Sequence, residues 1–183
     1  MRFSFFTSLL AVLVRAASTE GKNVPFPDVI DLPVEFFPEG IDIGDGYDVY
    51  VGSISTGAIW KGNLQDGTGD ILVSETDNPN PINGVKYDKR ARSLYAAGRD
   101  SGKGYRFDGD TGKPLDPGVF DFIGIDDGID KGYINDLVIT KNAVYFTDSR
   151  NPQLYVLPLS NQGEIVGEIE ILELGCHFEF EPW

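Results

Sequence analysis

An all-β fold of repeated four-stranded units is what this sequence predicts, on three observations. Beyond the first residues there is almost no helical periodicity, and short runs rich in Val, Ile, Tyr and Phe alternate with clusters of Gly, Asn, Asp and Pro, the pattern of strands and turns. Those runs fall into three copies of one unit, starting at Glu39, Asn83 and Asn135, 44 and 52 residues apart. Aromatic residues mark the same step in each copy: Tyr50 to Trp60, Tyr95 to Tyr105 and Tyr145 to Tyr155 are each ten residues apart. Four strands per unit at that period is the signature of β-propeller blades. A β-sandwich or β-solenoid, also built of short strands at regular spacing, is the alternative. Closed propellers typically have about four to eight blades, so three are part of a ring. Either the chain belongs to a longer protein or two copies complete one another.

The elements follow in order. Residues 1–17 contain Arg2, an apolar run over 3–14 and the small-residue pattern Val14-Arg15-Ala16, and read as a secretory signal peptide. The run is shorter than the roughly 20 residues that cross a bilayer, so the expected location is extracellular, with no membrane attachment in the mature form. Residues 18–38 form a leader in which 29–36 is a candidate ring-closing strand. Residues 39–175 carry the blades: EGIDI, DVYVGS, AIWKGNL and GDILVS; then NGVKYD, SLYAAG, KGYRFDGDTG and a strand near GVFDFI; then NDLVIT, AVYFTDS, QLYVLPL and VGEIEILEL. Residues 176–183 bring the only Cys and the only His and read as an aberrant or truncated tail.

Composition narrows the partners. Hydrophobic residues at 41% and charged residues at 24% describe a globular chain. The net charge of -14, from 15 basic and 29 acidic residues, argues against nucleic acid, whose binding rests on Lys and Arg neutralising phosphates. Cations and small molecules are the more natural ligands. One Cys excludes an intrachain disulfide and, with one His, a Cys-His zinc site.

In a propeller the first strand of each blade lines the central channel, so equivalent positions lie side by side around the axis. Glu39, Asn83 and Asn135 are such positions, each followed by Gly or Asp and then an apolar residue. One carboxylate and two amide carbonyls facing a shared cavity are hard oxygen ligands suited to Ca2+, with Mg2+, Mn2+ or Zn2+ as alternatives. Taken singly, Asn-Gly and Asn-Asp are also common turn formers. The stretch INDLVITKNAVYFTDS reads as a hairpin turning at Lys141-Asn142, whose paired residue numbers sum to about 283. That register sets Asp148 opposite Asn135. Asp136 points away from Asn135 by the two-residue period and braces the entrance loop. FDGDTGK (107–113) reads as a hairpin turn rather than a calcium loop, and the Asp-rich IDDGIDKG (125–132) as a solvated loop.

With these residues in view, FPEGIDI, NGVKYD and above all INDLVITKNAVYFTDS resemble the senescence marker protein, gluconolactonase and luciferin-regenerating-enzyme-like family. Its members are six-bladed propellers that include regucalcin-like lactonases and calcium-dependent phosphotriesterases. The resemblance covers residues 37–174, about half of a family member. It implies a metal role for Glu39 and Asn135 and a substrate-orienting one for Asn83, while Asp136 and Asp148 enter from the hairpin register as candidates for substrate binding or support of the ligands. It also implies a metal-dependent hydrolase of lactones or related esters when the ring is intact. The family's later-blade asparagine and aspartate have no counterpart here, and EGID replaces the usual EGP followed by an aromatic, so the chain as given is expected to be inactive. Other readings are a non-catalytic NHL-type binding propeller and a strictosidine-synthase-like enzyme.

Overall fold

The computed structural model describes residues 26–122 and 132–175. The signal-peptide reading of residues 1–17, the Asp-rich loop up to residue 131 and the tail 176–183 lie outside the described residues. Among the described residues, twelve strands form three antiparallel sheets in which neighbours in sequence are neighbours in space. The first sheet holds β1 (Pro38–Ile43), β2 (Asp48–Ser53), β3 (Ile59–Asn63) and β4 (Gly69–Val73). The second holds β5 (Val85–Asp88), β6 (Ser93–Ala97), β7 (Lys103–Asp108) and β8 (Pro114–Asp121). The third holds β9 (Ile134–Ile139), β10 (Ala143–Asp148), β11 (Gln153–Pro158) and β12 (Glu170–Glu173). These are the three predicted blades of a partial β-propeller, with β8 beginning earlier than the sequence suggests.

Strand alternation explains why the sheets stack. On β2, Tyr50 points into a cluster with Ile59, Val73, Val85, Leu94 and Tyr105, while Val49 and Val51 point to the other side against Trp60. On β6, Leu94 and Ala96 join that first junction. Tyr95 and Ala97 join a second with Phe122, Val144, Phe146 and Tyr155. The middle sheet is thus buried on both faces, which is why SLYAA is apolar or small throughout rather than alternating. Full burial of each large apolar side chain contributes about 1.5–3 kcal/mol, and the two junctions hold the blades face to face.

The hairpins close on turn chemistry. In FDGDTGK the Asp108 carboxylate accepts the amides of Asp110 and Thr111 and the Thr111 hydroxyl at 3.1, 2.8 and 2.8 Å, and Gly112 takes the left-handed conformation at φ 70. The loop joins β7 to β8 as a turn, with Asp108 committed to local bonds.

The candidate ring-closing segment 29–36 is unpaired among the described residues, where 26–37 contain no strand. Pro27, Pro33 and Pro38 remove ladder donors there. The segment instead lies across the first sheet, burying Phe36 against Val49, Val51, Ala58 and Trp60, with Ile30 and Leu32 packed alongside.

Candidate functional site

The innermost strands β1, β5 and β9 lie against one another in that order, and one backbone bond repeats between them. Gly40 N–H donates to the Asn83 carbonyl at 2.8 Å, and one blade on, Gly84 N–H donates to the Asn135 carbonyl at 2.9 Å. Glycine permits this approach. A Cβ on Gly40 would stand 2.8 Å from Gly84 Cα, and one on Gly84 would stand 2.8 Å from Asp136 Cα, closer than such atoms pack. The bond puts Glu39, Asn83 and Asn135 in equivalent places at the N-terminal ends of the three strands.

Two of the three side chains meet. Asn83 Nδ2 donates to Asn135 Oδ1 at 2.7 Å, and Asn135 Nδ2 donates to Ser149 Oγ at 3.0 Å. Asn83 is 3% exposed, and its Oδ1 is buried without a hydrogen-bond partner. A buried amide oxygen left unpaired costs about 1–3 kcal/mol, a cost that a bound cation or hydrogen-bond donor would relieve. Glu39 is exposed and touches neither amide in a hydrogen bond. It lines, with Asn135, Asp136, Lys86 and Ile41, a polar opening of about 540 Å3. Among the described residues no three His, Cys, Asp or Glu side chains cluster tightly enough to hold a metal ion. A cation here would therefore use amide oxygens beside the Glu39 carboxylate, a donor set that suits Ca2+.

The hairpin departs from the expected register at this point. Val144 pairs with Ile139, Tyr145 with Val138 and Phe146 with Leu137, as the sum of 283 requires, but Asp148 then pairs with Ile134. An extra residue in β9 makes Asn135 and Asp136 together face Thr147, a β-bulge. The Thr147 hydroxyl takes up the freed groups, accepting Asp136 N–H at 3.0 Å and donating to Asp136 O at 3.2 Å. Asp148 is consequently not opposite Asn135. It is buried, and its carboxylate accepts the amides of Tyr133, Arg150 and Asn151 at 2.9, 2.9 and 3.3 Å. Asn151 Nδ2 and the Tyr155 hydroxyl complete the shell at 2.8 and 3.3 Å. Asp148 thus ties the loop carrying Ser149 to the start of β9. The bulge also relaxes strict alternation, so Asp136 does not turn away to brace the entrance loop: it stands in the same opening as Asn135, 3.5 Å from Lys86 Nζ.

Several residues around the amide pair were not singled out from sequence. The Tyr133 hydroxyl oxygen accepts Arg99 Nε at 2.9 Å and Asn83 Nδ2 at 3.4 Å. The guanidinium carbons of Arg99 and Arg150 each lie 5.5 Å from the Tyr133 ring centre. Asp100 accepts Arg150 at 2.8 Å and lies 4.0 Å from Arg99. A signal for them existed: Arg99 and Arg150 follow β6 and β10, the second strand of successive units, and Tyr133 stands two residues before Asn135.

No family model matches the chain, and no curated protein matches it in sequence. Among solved structures it is similar to a protein from Lactobacillus plantarum, at 17% identity and a TM-score of 0.52, over 75% of this chain and 42% of that one. It is also similar to streptogramin B lyase, at 14% identity and a TM-score of 0.48, over 79% of this chain and 57% of that one. The chain thus spans less than two thirds of either neighbour. At these identities a likeness is one of architecture alone; the three four-stranded antiparallel sheets, with the first neighbour's similar fold, make the chain a partial β-propeller.

Proposed function

We propose that this chain is the site-bearing part of a secreted, gluconolactonase-like propeller that binds a divalent cation, Ca2+ by preference, and hydrolyses lactones or related esters. The observation that carries the reading is the buried, unpartnered Asn83 Oδ1 beside Asn135, with the Glu39 carboxylate lining the adjoining opening. In this reading Glu39 and Asn135 hold the ion and Asn83 faces both ion and substrate. Asp148 keeps the Ser149 loop in place, and the Lys86–Asp136 pair polarises the floor of the opening. A bound cation would act as a Lewis acid on the ester carbonyl. The leader 1–17 supports secretion through its signal-like pattern.

Cation binding is tested without turnover. A ligand that binds only the folded state stabilises it by about 2.7 kcal/mol at a hundredfold excess over Kd. The melting temperature should therefore rise with Ca2+ and return with chelator, and Glu39→Gln should abolish the rise. Bound Tb3+ should emit on tyrosine excitation, because the Tyr133 hydroxyl lies 3.4 Å from Asn83 Nδ2. A wild-type chain indifferent to Ca2+ and silent with Tb3+ would sink the hydrolase reading in favour of a non-catalytic binding propeller.

A further inference from the structure

Beside the amide pair, Tyr133 is held with unusual completeness. Its hydroxyl oxygen accepts Arg99 Nε and Asn83 Nδ2 at 2.9 and 3.4 Å, and a phenol oxygen has two lone pairs and one hydrogen to give. Both acceptor positions are thus taken, and among the described residues no acceptor receives the hydroxyl hydrogen. The guanidinium carbons of Arg99 and Arg150 each lie 5.5 Å from the ring centre. Arg99 itself is pinned by reciprocal backbone bonds with Ile134 at 2.9 and 3.1 Å and by donation from its side chain to Ile54 O at 3.1 Å. It holds this place at φ 52, a conformation that disfavours a side chain and that concentrates where the side chain is needed.

We infer that Tyr133 is a substrate-positioning donor: its hydroxyl hydrogen is presented to the carbonyl oxygen of a lactone or ester bound at the Asn83–Asn135 centre, and Arg99 acts through Tyr133 by fixing the direction of that hydrogen. The inference rests on the cation-site reading above and adds a second, independent contact to the same substrate oxygen. No bond is made or broken in this step. Its chemistry is that of an oxyanion-hole donor, aimed before substrate arrives.

The probe is δ-valerolactam, a carbonyl ligand that does not hydrolyse, added to the 183-residue chain with and without Ca2+ and followed by NMR. Tyr133→Phe keeps the ring beside both guanidinium groups and removes only the hydroxyl. It should weaken lactam binding about three- to tenfold, the worth of one neutral hydrogen bond, while leaving the Ca2+ midpoint unchanged. In the wild type the Tyr133 Cζ resonance should move on lactam addition, a response that a merely structural tyrosine would not show. Arg99→Lys should produce a smaller loss of lactam affinity at the same Ca2+ midpoint. Equal lactam affinity in Tyr133→Phe, an unmoved Cζ resonance, or no lactam binding to the wild type would each overturn the inference. A wild type that binds lactam through Tyr133 but ignores Ca2+ would uphold it and overturn the cation reading instead.

Discussion

The two junctions between innermost strands share one backbone bond and differ in what the side chains make of it. At the first, Gly40 meets Asn83, and Glu39 is left exposed in the opening. At the second, Gly84 meets Asn135, and the two asparagines close on each other at 2.7 Å. The same main-chain geometry therefore gives a solvated carboxylate in one place and a desolvated amide pair in the other. Backbone equivalence sets where a side chain starts, while its neighbours decide whether it is spent on structure or left for a ligand. The core beneath follows suit: the first junction is mainly aliphatic around Tyr50 and Tyr105, and the second stacks Phe122 on Tyr155 at 4.5 Å and against Phe146 at 4.9 Å.

The comparison breaks most visibly in that second core. Phe146→Ala should cost about 3–5 kcal/mol, read by urea unfolding, because its ring contacts both Phe120 and Phe122. Next come the glycines. Gly40→Ala and Gly84→Ala should each cost about 1–3 kcal/mol from overpacking against backbone that cannot step aside. Only the second should also disturb the Asn83–Asn135 pair, visible as a change in their side-chain amide resonances. If Gly84→Ala left both stability and those resonances intact, the close approach of β5 to β9 would be wrong.

A finer contrast separates Asn135 from Glu39. Asn135→Leu removes the acceptor of a buried amide and should cost about 1–3 kcal/mol. Glu39→Gln, at an exposed position without a hydrogen bond among the described residues, should stay within about 0.5 kcal/mol in the absence of a cation. The smallest effect concerns the β7–β8 turn. Bonds from Thr111 hold the Asp108 carboxyl below its ordinary 3.8, and Arg92 does the same for Asp110. A depressed folded-state pKa adds stability that is present above the unfolded value and lost as pH falls through the folded one. Both groups are largely in solvent, so the gain is no more than a few tenths of a kcal/mol. Asp108→Asn should lower stability by about that amount at pH 7 and by less near pH 2, measured by denaturant titration at both.

Much of this was legible. The repeat with its aromatic landmarks located all three sheets, and the shared start at Glu39, Asn83 and Asn135 located where the innermost strands meet. The errors have local causes. The hairpin rule placed Asp148 by counting, and a single bulged residue at Asn135–Asp136 moved it to Ile134. Counting along two strands has no means of sensing that the Thr147 hydroxyl can replace a ladder bond. Tyr133 escaped notice because its importance lies in Arg99, Arg150 and Asn83, which are distant in sequence.

By itself the sequence determined the strand periodicity, the blade repeat and the residue types at the start of each innermost strand, since these depend on residue type and short-range spacing. Only the tertiary structure decided which oxygens are free. Whether an amide is buried, paired or orphaned depends on how closely neighbouring blades approach, and that distance is set by glycines and a bulge whose effect appears only when one strand lies against the next.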